Sequence, residues 1–133
     1  MPYLNLNLSA NPSTEVATKA AEVLTALTVK VLGKKHELTA VAITVTPPER
    51  WFVGAKALSH EGKASFYLDI KVTEGTNTKN EKALYVTQVF AAMASLMGEL
   101  APASYIVIHE VHADAWGYSG QTQEFRYIQG KSL

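Results

Sequence analysis

Pro2 is the residue whose chemistry depends most on circumstance. Inside a chain its nitrogen is a tertiary amide without basicity. If Met1 is cut away, the same nitrogen becomes a secondary amine that can accept and return a proton once its pKa is lowered. A Met-Pro start alone fits equally well a proline placed at the head of a strand. Lys34, next to Lys35, follows a predicted helix and suits a helix C-terminus as a cation. Close to an amine, it would also disfavour the protonated form. Arg50 and Arg126 are the only arginines in the chain, and guanidinium is the best fork for a carboxylate. Arg50 precedes Trp51-Phe52 in a predicted loop, where it could reach the edge of a site or stand as a solvated charge. His109, Glu110, His112 and Asp114 are metal-ligating types close together. Strand alternation sends His109 and Glu110 to opposite faces, and no cysteine or second histidine pair completes a set. No metal and no cofactor is expected.

The bulk properties narrow the classes. At 133 residues the chain is about one domain long. Twelve basic residues balance twelve acidic ones, with no basic stripe, so nucleic acid is not an expected partner. Charges break every apolar stretch well short of a membrane span, and the first residues lack the pattern of a signal peptide. There is no cysteine, which removes disulfides and thiol nucleophiles. These features point to a cytoplasmic protein with no membrane partner.

The elements that position the candidate residues recur. YLNLNLSAN (3–11) aligns with YLDIKVTEG (67–75), and AITVTPPERW (42–51) with VIHEVHADAW (107–116). Tyr3 and Tyr67 lie 64 residues apart, whereas Trp51 and Trp116, like Gly33 and Gly98, lie 65 apart. The chain therefore reads as one domain, 1–133, built from two copies of one unit, about 2–63 and about 65–130. Each copy reads strand, helix, strand. Leu4, Leu6 and Leu8 alternate with polar residues, as do Phe66, Leu68, Ile70 and Val72. Asn11-Pro12 predicts the start of the first helix, and Gly33 its end. Thr78 and Glu81 have capping-box spacing for the second, which Gly98 ends. Val41, Ile43 and Val45, then Tyr105–Val111, give the closing strands, and a short last strand is expected around Glu124–Ile128. The fold class is α+β: a four-stranded mixed sheet with two helices on one face. The other face, with Tyr67, Asp69, Lys71, Tyr105, Val107 and His109 as candidates, stays bare and predicts an oligomer.

Two fused units with Pro2 at the head of the first strand resemble the tautomerase superfamily. That group includes 4-oxalocrotonate tautomerase and macrophage migration inhibitory factor. MPYLNLNL, LGKKHELTAV, VTEGTNTKNEKALY and SYIVIHEVHADAWGYSG carry the likeness over nearly the whole chain. The resemblance implies a homotrimer and a catalytic amine at Pro2 after loss of Met1. It also implies a substrate-binding cation at Lys34, an active-site tyrosine at Tyr105, an apolar wall at Ile70 and an active-site aromatic at Trp116. Arg126 falls in a tail that makes intersubunit contacts in that group. Thr76 and Tyr105 stand where short tautomerases carry arginines, and Val107 where the migration inhibitory factor branch has asparagine. The arginine pair of the dehalogenases and decarboxylases is also missing, with Lys71 the only nearby cation. The implied function is a cofactor-independent keto-enol tautomerase of a small 2-oxo acid. The alternatives are decarboxylase, hydratase or dehalogenase chemistry within the same group, or a binding module that keeps the fold.

Overall fold

The structure, a computed structural model, describes residues 1–131. The first unit runs β1 (Tyr3–Ser9), α1 (Thr14–Leu32) and β2 (Ala40–Thr46). A small hairpin, β3 (Phe52–Val53) and β4 (Lys56–Ala57), and a single turn, α2 (Leu58–Glu61), follow it. The second unit repeats the order with β5 (Phe66–Thr73), α3 (Lys79–Met97) and β6 (Tyr105–Val111). Its hairpin is β7 (Gly117–Tyr118) with β8 (Gln121–Thr122), and α4 (Gln123–Gln129) closes the described chain. Within each unit the strands pair in parallel, β1 with β2 and β5 with β6, because a helical crossover returns the chain in the same direction. The units join through antiparallel β1 and β5, centred on Leu6 opposite Leu68. The sheet order is β2-β1-β5-β6. This join turns the heads of the two units to opposite ends of the sheet, so Pro2 and Ser65 are far apart.

The buried core lies between the sheet and α1 and α3. Leu4, Leu6 and Leu8 of β1 meet Phe66, Leu68, Ile70 and Val72 of β5, covered by Leu24 of α1 and Tyr85, Val89 and Met93 of α3. The Tyr85 hydroxyl is buried and hydrogen-bonds the Thr28 hydroxyl at 2.8 Å, tying the two helices together. Burial pushes the Tyr85 pKa up to about 12, with the Thr28 bond acting the other way. Gly33 ends α1 in the left-handed conformation (φ 68) and turns the chain towards Lys34.

Two boundaries differ from the sequence reading. The N-cap of α1 is Ser13, whose hydroxyl accepts from the Val16 N–H, so Asn11-Pro12 precedes the helix. The expected last strand at Glu124–Ile128 is the helix α4, capped by the Thr122 hydroxyl accepting from the Phe125 N–H. No helix among the described residues is long and apolar enough to cross a membrane.

Candidate active site

Pro2 precedes β1 and is buried. Its carbonyl accepts from the Ala40 N–H at 3.4 Å, which carries the pairing of β1 and β2 past the head of the strand. The Met1 carbonyl, one bond from the Pro2 nitrogen, accepts from the Trp116 indole Nε1–H at 2.9 Å. Two open cavities meet at this point. One, of about 320 Å³, is lined by Met1, Lys34, Lys35, Gln123, Arg126 and Tyr118 among others, with no carboxylate side chain among the described residues that line it. The other, of about 500 Å³, is bounded by Met1, Pro2, Leu38, Trp116 and Tyr118, with Glu37 at one side. One side of the N-terminus is therefore cationic and the other mainly apolar.

The cations reach the first cavity from two elements. Lys34 leaves the end of α1, and its Nζ donates to the Thr76 hydroxyl at 2.8 Å. Burial lowers the Lys34 pKa, with Glu81 pulling it back up. Arg126 comes from α4. Its guanidinium stacks on the Tyr118 ring, 3.9 Å from the centroid, and Nη2 donates to the Tyr118 carbonyl at 3.1 Å. Its Nε is buried without a partner, so this guanidinium is oriented by protein yet unmatched by an anion among the described residues. The free amine in this structure belongs to Met1. Its pKa is lowered by burial first, then by the Lys34 and Lys35 charges. Loss of Met1 would move the amine by one residue, to Pro2, between the same charges.

Residues 67–126 match the family described as tautomerase enzyme. The second unit therefore carries the pattern of the tautomerase family. No curated protein matches its sequence, but solved structures share its fold closely. A fused 4-OT symmetric trimer superposes with a TM-score of 0.79 at 15% identity, over 97% of this chain and 99% of its own. A macrophage migration inhibitory factor-like protein from Entamoeba histolytica gives 0.75 at 21% identity, over 91% and 97%. FG41 malonate semialdehyde decarboxylase, inhibited by 3-bromopropiolate, gives 0.74 at 14% identity, over 98% and 99%.

Within this tautomerase fold, the described chain brings Pro2, Lys34 and Trp116 to one place. Three other expected residues lie elsewhere. Ile70 is fully buried under the helices and is core, not wall. The alternation that aligns it with Leu68 and Val72 turns it away from any opening. Arg50 ends a 3₁₀ turn, Pro48–Arg50, beyond the C-terminal end of β2. Since β2 runs parallel to β1, that is the end of the sheet away from Pro2. Tyr105 opens β6 opposite Tyr67 and is 63% exposed, again at the far end, so one chain alone does not join it to Pro2. Conversely, Arg126 and Tyr118 are at the site. Reading 124–128 as a strand hid Arg126. The Thr122 cap and the helical spacing of Phe125 and Ile128 were the signal for α4.

The histidine-rich segment divides among separate partners. His109 Nε2 is 3.1 Å from Asp69, Glu110 pairs with Lys82 at 2.6 Å and His112 meets Glu74. The arginine missing at position 76 also has a physical counterpart. Thr76 instead receives the Lys34 ammonium, so a cation reaches that spot from α1 rather than from the loop itself.

Proposed function

We propose that the chain is a cofactor-independent keto-enol tautomerase of small 2-oxo acids, with Pro2 as general acid/base after loss of Met1. The observation that carries this reading is the N-terminus itself. It lies where a cationic cavity, with no carboxylate among the described residues that line it, meets an apolar one, in surroundings that lower an amine pKa. A lowered pKa keeps the amine neutral and able to accept a proton. Lys34 and Arg126 hold the substrate carboxylate. Trp116, Tyr118 and Leu38 take its apolar end, which favours aryl or unsaturated acids. In the enolising direction, Pro2 N takes a proton from C3. The C–H pair becomes the C2=C3 double bond, the carbonyl pair moves to oxygen, and that oxygen takes a proton from water. Ketonisation is the reverse.

The working unit in this proposal is a homotrimer, supported by the bare sheet face and by the trimeric state of the fused 4-OT structures. Tyr105, remote within one chain, would then serve a neighbouring subunit. Decarboxylase or dehalogenase chemistry has less support. Lys71, the cation nearest the missing arginine pair, sits on the bare face 3.5 Å from Asp69 and lines neither cavity at Pro2.

The test is ketonisation of phenylenolpyruvate by the purified protein and by Pro2→Ala, with intact mass measured on both. A wild-type rate lost in the variant, with Met1 absent by mass, is the expected result. Equal rates in the two proteins would overturn the role of Pro2. Retained Met1 with no turnover would favour a binding module.

A further inference from the structure

The Met1 acyl group occupies the site in a substrate-like way. Its carbonyl carbon is attached to the Pro2 nitrogen, and its oxygen is held by the Trp116 indole N–H at 2.9 Å. Removal of Met1 takes that acceptor away. It leaves a partly buried donor beside the new amine, and such a donor is costly to leave unpaired. We infer that the Trp116 indole N–H donates to the 2-oxo oxygen of the substrate, in the place that the Met1 carbonyl holds before processing.

This inference rests on the tautomerase reading and adds to it the group that stabilises the reacting oxygen. Standard bond lengths and the 2.9 Å contact put the indole nitrogen within about 5 Å of the Pro2 nitrogen. A substrate carbon in contact with that amine has its 2-oxo oxygen two bonds away, inside the same span. The indole N–H is a donor only, with no lone pair to compete for the C3 proton. Negative charge grows on the oxygen as the C3 proton leaves, so a fixed donor there acts more on the transition state than on the bound ketone. Lys34 and Arg126 line the other cavity and hold the carboxylate, which leaves this oxygen to Trp116. Tyr118 also bounds the apolar cavity, but the Met1 carbonyl accepts from the Trp116 indole and not from the Tyr118 hydroxyl.

The test has two arms, both on the processed full chain. In the first, Trp116→Phe keeps an aromatic wall and removes the donor. The expected loss in kcat for phenylenolpyruvate is about 10- to 100-fold with KM nearly unchanged. In the second, the indole ¹⁵N–¹H resonance of wild-type Trp116 is followed, with Trp51 as internal reference. It should move strongly downfield with phenylpyruvate, as a new hydrogen bond requires, and show only a smaller ring-contact shift with 3-phenylpropanoate, which has the same ring and carboxylate but no 2-oxo group. This arm needs no variant to fold. Equal shifts with both acids, or a folded Trp116→Phe with kcat within about threefold of wild type, would overturn the inference. Activity lost in Pro2→Ala but intact in Trp116→Phe would sink it while sparing the tautomerase reading. If processed wild type turns nothing over, the tautomerase reading fails for this substrate, and the selectivity of the indole shift still decides the hydrogen bond.

Discussion

The cations around Pro2 have separable effects. Lys34 lies close enough to the N-terminal amine to lower its pKa, because a neighbouring positive charge penalises the protonated form. Lys34→Gln should therefore raise the pKa of the N-terminal amine, the proposed base. Less of it is then neutral at a given pH, and the acid limb of kcat/KM moves to higher pH. A pH-rate profile of both proteins checks this, and an unmoved acid limb would remove Lys34 from the electrostatics of the amine. In the proposed reaction Arg126 acts on binding. Arg126→Ala should raise KM for an aryl 2-oxo acid by about 10- to 100-fold, the usual worth of a charge-assisted carboxylate contact, and change kcat less. Arg126→Lys should recover only part, since an ammonium reproduces neither the fork nor the stacking on Tyr118. Steady-state kinetics on the three proteins separates these outcomes. At this scale the sequence was informative wherever type and local position were enough. Pro2 at a strand head, Lys34 after a helix-ending glycine and Trp116 in a repeated hairpin segment all converge. Ile70 and Arg50 misled because their place depends on which side of a strand, or which end of the sheet, they occupy.

The helices show how local signals compete. The Thr78–Glu81 box forms in full: the Glu81 N–H donates to the Thr78 hydroxyl at 3.1 Å, and the Thr78 N–H to Glu81 Oε1 at 2.8 Å. Thr78→Ala should cost about 1 kcal/mol, measurable by denaturant unfolding. The Glu81 carboxyl is held below the ordinary carboxylate range, first by the Thr78 backbone N–H, then by Asn77. A depressed carboxyl pKa contributes stability above the unfolded value and loses it as pH falls through the folded one. Unfolding between neutral and acid pH should therefore show a shallower loss in Glu81→Gln than in wild type, and equal slopes would deny the box this role. A capping box is readable because both partners are three residues apart in sequence. The start of α1 was less so, since Asn11 and Ser13 are both competent caps and it is the Ser13 hydroxyl that accepts from the Val16 N–H. At α4, seven residues are too few for periodicity to decide. Phe125 and Tyr127 alternate like a strand, Phe125 and Ile128 are spaced as on a helix, and the Thr122 cap tips the balance to the helix.

For the whole molecule the decisive feature is the antiparallel join of β1 to β5. It puts the heads of the two units at opposite ends of one sheet, and only the first unit begins with proline. Ser65 heads the second, already engaged by Ser9, Ala103 and Ser104, so each chain has one site of the Pro2 kind. The repeat was legible in sequence because its two copies keep nearly constant spacing. The remoteness of Tyr105 from Pro2 was not, because no local pattern states how the copies face each other. The same join leaves one sheet face bare, with Tyr3, Tyr67 and Tyr105 exposed around a polar centre at Asn5, Asn7 and Asp69. If three such faces close on one another, Tyr105 can approach the Pro2 site of another subunit, and assembly becomes a condition of activity. Val107 lies on this face, in register with Asp69. Val107→Glu would set two carboxylates side by side there, tolerable in a hydrated monomer and costly in a closed assembly. The expected result is a wild-type mass three times that of the chain by light scattering and a folded, monomeric variant with little tautomerase activity. A wild-type monomer with full activity would show that one chain suffices and would leave Tyr105 without a catalytic role.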